Sequence, residues 1–532
     1  MIGRLVHLAK LAPAWAVLTL LILASLLGVT AHLVGLPHVR VAQGVLLVSV
    51  LGAGWLVRTA SAAGRSLTRV VGRTALLTAV VLMLVNLGWA LRYRTLESGL
   101  KKLGLPATLA DLPAAPAGSV FAEHDMDALV ASLTTTGKDA IPTSTAAGNL
   151  NLEIHGNAML TGTPPEKRLH RWPVDAAKKI DAFMAQHPVF FRELDGRYGR
   201  IIDRSTRYAD RDPKLMAAHP RSVEIPRYAE LVNLARCYRL YADRQAMRGD
   251  RAGADRSLGR MIKLTALASS DPFLIAKMIA VANGGIAASS PVRNLQNGGP
   301  PPSAANLRAL CALPMGRAVA QGFATEGASM LDQRRLLNRS WIGGIDGISR
   351  GDFVVAKLSG LVGLNDAAFL EHYRLAVIPI ATATGWPAEV SPRLNEAYYE
   401  SRGWAPIAWL GGGINFVQLY QKGLECDTRL RLAAVVAAIH ARKAKTGTWP
   451  AALKDIVAQL PVPDAQMDPF SGKPFSYEPS PKGAGYVLAS VGPWGDGRDS
   501  KDQRLEVRTP LPAATIARPA PAAKKPVTKK KR

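Results

Sequence analysis

Hydrophobic positions in this chain follow two regimes: unbroken apolar runs near the start, and apolar residues at three- and four-residue spacing through the middle. The unbroken runs cover residues 13–34, 39–57 and 74–91. Each approaches or exceeds the roughly 18–20 residues that a helix needs to cross a bilayer core. Ionisable side chains keep to their edges, as His32 and Arg40 do. The pattern predicts a membrane anchor of three transmembrane helices over residues 1–95. Arg4 and Lys10 ahead of the first run, with Val29, Thr30 and Ala31 near its end, leave a cleaved signal peptide as the alternative there. The loop after the second run carries Arg58, Arg65, Arg69 and Arg73, whereas the first loop offers only Arg40. By the positive-inside rule the arginine-rich loop faces the cytoplasm, which puts the domains beyond about residue 92 outside it, on a multi-pass protein of the cell inner membrane.

Residues 96–165 are rich in Ala, Pro, Thr and Gly and read as a linker. Within it Glu123, His124, Asp125 and Asp127 carry metal-compatible side chains that equally suit the start of a short helix. Residues 166–423 then read as an α-helical domain. Tyr228, Leu231, Leu234, Tyr238, Tyr241 and Ala242 share one helix face, Gly249 and Asp250 break the run, a second helix covers 251–268, and Asp271 and Pro272 open a third. The pair is similar to one tetratricopeptide unit, but no second copy follows at a fixed period, and an ordinary helix pair fits as well. Residues 386–420 hold seven of the chain's aromatics, which suits a core, a sugar platform or an interfacial belt.

Residues 424–509 form a different pattern. Asp427 and Thr428 suit the cap of a helix over 429–445, which is apolar from Leu432 to Ile439. After it come Trp449 and Pro450, a short helix AALKDIVAQL, a turn at Asp468 and Pro469, and two strand-like runs, KPFSYEP and GYVLASVG. The succession "GTWP", "LKDI", "DPFSGKPFSYE" and "YVLASVGPWGDGRD" resembles the globular half of the major pseudopilin of type II secretion over residues 428–502. With the preceding helices it also resembles uncharacterised bacterial membrane-anchored proteins that end in such a module. The chain departs from the pseudopilins in lacking their N-terminal processing site and in placing this helix mid-chain, so a polymerising role is not implied. The resemblance implies calcium in the loop after the last strand, held by Asp496, Asp499 and Asp502. Arg498, Lys501 and Arg504 compete for those carboxylates, which keeps an ordinary salt-bridged turn open.

The expected fold class is therefore mainly α: three transmembrane helices, an extracytoplasmic helical domain and a small C-terminal α+β pseudopilin-like module. Net charge sharpens the expected partners. The chain carries 66 Lys and Arg against 40 Asp and Glu, and the composition of residues 510–532 predicts a disordered basic tail. Such a balance favours anionic partners: the lipid bilayer, envelope proteins or anionic envelope polymers, with nucleic acid expected only if the topology were inverted. The three cysteines lie far apart and give neither a zinc spacing nor a disulfide framework. No GxSxG, HExxH or Walker-type loop occurs, and Glu396 and Glu400 read as a solvated face. The functional expectation is a non-catalytic envelope binding or assembly protein; the alternative is a membrane-anchored hydrolase with its site near the aromatic-rich segment.

Overall fold

A computed structural model describes residues 95, 97–133, 142–155, 172–218, 228–339, 378, 416–480, 485–492 and 506–509. Helix accounts for 70% of the described residues, so the mainly α expectation holds for them. The expectation of three transmembrane helices is corrected. The apolar runs behind it lie outside the described residues, and among the described residues no helix is long and apolar enough to cross a membrane. Among those described helices Leu274–Gln296 has the length to cross a bilayer, but Lys277, Asn283, Arg293 and Asn294 interrupt its apolar surface, and it buries them against protein.

The chain divides into two compact units. The smaller comprises Met1–Asp111, Gly327–Thr382 and Ser391–Asn415. In it, Asp111 closes the short 3-10 turn Leu109–Asp111 by accepting from the Ala107 and Thr108 amides at 3.1 and 2.9 Å, and the Leu109 amide donates to Asp332 at 2.7 Å.

The larger unit comprises Leu112–Glu326, Ala383–Val390 and Phe416–Arg532. It opens with α1 (Glu123–Leu133), α2 (Ser144–His155) and α3 (Ala176–Gln186). A continuous rod follows: α4 (Pro188–Glu193), one π turn (Leu194–Tyr198) and α5 (Gly199–Arg204). Next come α6 (Pro213–Ala218), α7 (Tyr228–Met247), α8 (Arg251–Ser270), α9 (Leu274–Gln296), α10 (Ala304–Cys311), α11 (Met315–Arg339) and α12 (Phe416–Thr446). Of α11, residues 315–326 belong to this unit.

The predicted α7–α8 corner forms for the predicted reason. Gly249 takes φ 78°, which only glycine adopts cheaply, and the Asp250 carboxylate then accepts from the Gly253 amide at 2.9 Å as the N-cap of α8. The central helix is α9, which packs against α7, α8 and α12. One hydrophobic cluster runs from Ala122 through these helices to Leu488, so the helical part and the C-terminal strands share a core. Val435, Val436 and Ile439 of α12 are fully buried in it, each burial contributing about 1.5–3 kcal/mol.

The helix expected to begin at Arg429 instead begins at Phe416, so the boundary drawn between 423 and 424 falls inside α12. Asp427 is not its cap. Its carboxylate accepts from the Met315 and Gly316 amides at 2.6 and 2.9 Å and so caps α11, while the Thr428 hydroxyl bonds back to the Leu424 carbonyl at 2.8 Å. The two helices approach closely because both positions are glycine: a Cβ on Gly423 would lie 3.0 Å from the Gly316 Cα.

Beyond α12, the expected short helix at AALKDIVAQL is a 3-10 run, Leu453–Gln459, and β1 (Ser476–Pro479), β2 (Tyr486–Ala489) and β3 (Glu506–Thr509) form an antiparallel sheet in that order. Asp468 ties the turn before β1 to the end of β2. Its carboxylate accepts from the Phe470 amide at 3.0 Å and from the Ser490 hydroxyl and Val491 amide at 2.9 Å.

Against the sheet, His440 packs edge-on to Trp449 and Tyr486 at 5.3 and 6.2 Å between ring centres. Burial among these rings pushes the imidazole down to about 4. The unfolded chain would then hold a proton on His440 below about pH 6.5 that the folded chain refuses. The stabilisation is complete above that pH and is lost as pH falls through the window from about 6.5 to about 4. Urea unfolding across this window should show stability falling with acid, and His440→Phe should flatten that part of the profile. An imidazole titrating near 6.5 by NMR in the folded chain would contradict the packing argument.

Candidate functional site

The functional surface with the most distinctive chemistry is built by two segments remote in sequence, α1 and the rod that ends in α5. The rod's buried face is apolar, with Phe190, Phe191, Leu194, Tyr198 and Ile202 in the core. Its opposite face carries Arg192, Arg197, Arg200 and Arg204, all exposed. The first interval is five residues, which on an α-helix would throw Arg192 out of line. It spans the π turn, whose bonding interval is five, so the wider turn keeps the series in phase. The Tyr238 hydroxyl donates to the Leu194 carbonyl at 2.6 Å, and a side chain intruding on the helical ladder is a recognised cause of such local unwinding.

Backbone pairing brings α1 alongside. After Arg204 the chain leaves the helix and bridges in parallel to Phe121 through Arg207. The Thr206 amide donates to the Val120 carbonyl, and the Val120 amide to the Thr206 hydroxyl, both at 2.9 Å. The Tyr208 carbonyl then takes the Ala122 and Glu123 amides at 3.1 and 2.9 Å, satisfying donors at the N-terminus of α1. Behind this, the 205–212 segment is pinned to the α8–α9 corner: the Arg211 Nε donates to the buried Asp271 at 3.1 Å, and its guanidinium lies 5.7 Å from the Phe273 ring centre. Lys277, in the same corner, donates to the Ser269 carbonyl; burial pushes it down to about 8 against the pull of Asp271.

The result is an open groove of about 650 Å³. Asp125, Ala128 and Leu129 of α1 line one side and Arg197, Arg200, Ile201, Asp203 and Arg204 the other. The spacings 125, 128, 129 and 197, 200, 201, 204 are those of a single face on each helix. Arg204 pairs with Asp125, and the Arg197 Nε bonds Glu193 at 2.8 Å, an interaction that holds the Glu193 carboxyl below its usual range. Asp203 is engaged from behind by Arg260, at 3.2 Å. Arg260 also reaches Asp195 at 2.5 Å and lies 5.9 Å from the Tyr238 ring centre. Gly199 makes room for it, since a Cβ there would sit 2.4 Å from the guanidinium carbon. Among the described residues no carboxylate pairs with Arg200, so the groove presents one open guanidinium beside the exposed Ala128, over a floor of the buried Leu129 and Ile201.

Of the residues singled out from sequence, Asp125 comes into this groove, as an ion-pair partner. Glu123 and Asp125 sit in the first turn of α1, and among the described residues no group of His, Cys, Asp and Glu is placed to hold a metal ion. Asp496, Asp499 and Asp502 lie outside the described residues, as do residues 386–415 of the aromatic segment, Glu396 and Glu400 among them; from that segment Tyr420 is a buried residue of α12. The arginine series was not singled out, although three- and four-residue spacing of Arg197, Arg200 and Arg204 is visible in GRYGRIIDR. No family model, curated protein or solved structure matches the chain.

Proposed function

We propose that this chain is a binding or assembly scaffold whose groove between α1 and α5 captures the anionic groups of a partner. The observation that carries this reading is the in-phase arginine series, in which Arg197 and Arg204 are paired with carboxylates while Arg200 is left open at the groove. An open guanidinium is suited to bidentate contact with carboxylate or phosphate. The C-terminal module, fused to the same core through α12, adds rigidity to the scaffold.

Because the chain is basic throughout, bulk binding to a polyanion says little, and the test must be local. Hydrogen–deuterium exchange on the full chain with millimolar citrate, a small carboxylate, as probe should show added protection in residues 123–133 and 188–204. Arg197→Glu with Arg200→Glu should abolish it there, with the melting temperature nearly unchanged because both side chains are exposed. Citrate binding without protection in these two segments would overturn the reading.

A further inference from the structure

The groove also indicates which class of anionic partner fits it, an inference that rests on the proposal above. A continuous polyanion such as polyphosphate or an anionic lipid surface needs a run of open cationic groups. Here the arginines alternate with carboxylates: Glu193 on Arg197, Asp125 on Arg204, and Asp203 on Arg260. A polyanion laid along the groove would gain Arg200 and then face Asp125 and Asp203 within the same groove. The exposed Ala128 beside Arg200, over a floor closed by the buried Leu129 and Ile201, gives the groove a small apolar wall that a phosphate chain cannot use. The groove is also walled by two helix faces, the form that receives an extended or helical polypeptide segment. We infer that the occupant is a polypeptide segment of a partner protein that seats one Asp or Glu carboxylate on Arg200 and packs a small side chain against Ala128.

Three probes separate this from the alternatives, with the full chain and its Arg197→Glu/Arg200→Glu variant: a synthetic helical peptide bearing one Glu flanked by Ala and Leu at three- and four-residue intervals, polyphosphate, and mixed phosphatidylcholine–phosphatidylglycerol vesicles. The peptide is expected to bind the wild type and to lose about tenfold or more in affinity with the variant, as for removal of a charge-assisted hydrogen bond. The other two probes should bind both proteins alike, through basic segments elsewhere. Should polyphosphate or vesicles show the variant-dependent loss and the peptide none, the polypeptide assignment falls while anion capture at the groove stands. No variant dependence for any of the three would remove both. Arg200→Ala, which introduces no new charge, must reproduce the direction of the effect, so that a result confined to the double reversal also counts against the groove.

Discussion

Replacing Asp243 by alanine will lower the stability of the larger unit by about 3–5 kcal/mol, the usual cost of taking one partner out of a buried charge cluster. Arg239, Asp243 and Arg293 are 3%, 1% and 0% exposed. Arg239 and Asp243 lie one turn apart on α7, and Arg293 reaches in from α9, where its Nη1 also donates to the Ile154 carbonyl at the end of α2, at 2.9 Å. Burial presses Arg239 down to about 10 and Arg293 down to about 9, and pushes Asp243 up to about 6, each against the attraction of its opposite. Without the carboxylate, two buried guanidiniums that already repel each other would lose the attraction that offsets their burial. The triple change Arg239→Met, Asp243→Leu and Arg293→Met should therefore cost less than Asp243→Ala alone, because it removes the desolvation penalty along with the attraction. Urea unfolding of the two variants checks the order. A loss under about 1 kcal/mol for Asp243→Ala, the range of exposed pairs, would show that the cluster is solvated and not buried.

Asp468→Ala should be comparably damaging in the C-terminal module. Its buried carboxylate serves the Phe470 amide, the Ser490 hydroxyl and the Val491 amide, and each donor left without an acceptor costs about 1–3 kcal/mol. The turn before β1 and the end of β2 lose their common anchor together. Hydrogen exchange should rise across 468–492, with the α7–α8 pair less affected. Asp468→Asn keeps one acceptor oxygen and should lie between the alanine variant and the wild type; equal effects of the two would mean that charge, not hydrogen bonding, holds the turn.

The elements legible in the sequence are those whose signals are local. The α7–α8 corner was readable because Gly249 and Asp250 do their work within four residues, and β1 and β2 because alternating apolar positions flank a Pro- and Gly-rich turn. Asp427 and Thr428 misled because an N-cap is identified by residue type. Here the cap is real but belongs to α11, more than a hundred residues away, and nothing in the local pattern of α12 encodes that. The long apolar runs were weighed as membrane spans, and that part of the fold expectation gained no support among the described residues. The groove was hidden twice over. Its arginines step across a π turn, which α-helical periodicity discards, and its second wall arrives through the parallel bridge between Phe121 and Arg207, a pairing that no sequence interval announces. Only the close spacing from Arg197 to Arg204 was there to be read.

A charge-swap experiment tests the central claim, that Arg200, one turn from Arg197, meets a carboxylate of a polypeptide partner. The Glu-bearing helical peptide and a Glu→Lys counterpart are titrated by fluorescence anisotropy against the wild type and against Arg197→Glu/Arg200→Glu. If the contact is direct, the acidic peptide binds the wild type, fails with the variant, and the Lys peptide recovers affinity with the variant alone, with a salt dependence that reflects the swapped pair. If the acidic peptide binds both proteins equally, or the Lys peptide gains nothing from the reversal, these arginines do not meet the peptide's carboxylate and the polypeptide assignment is wrong.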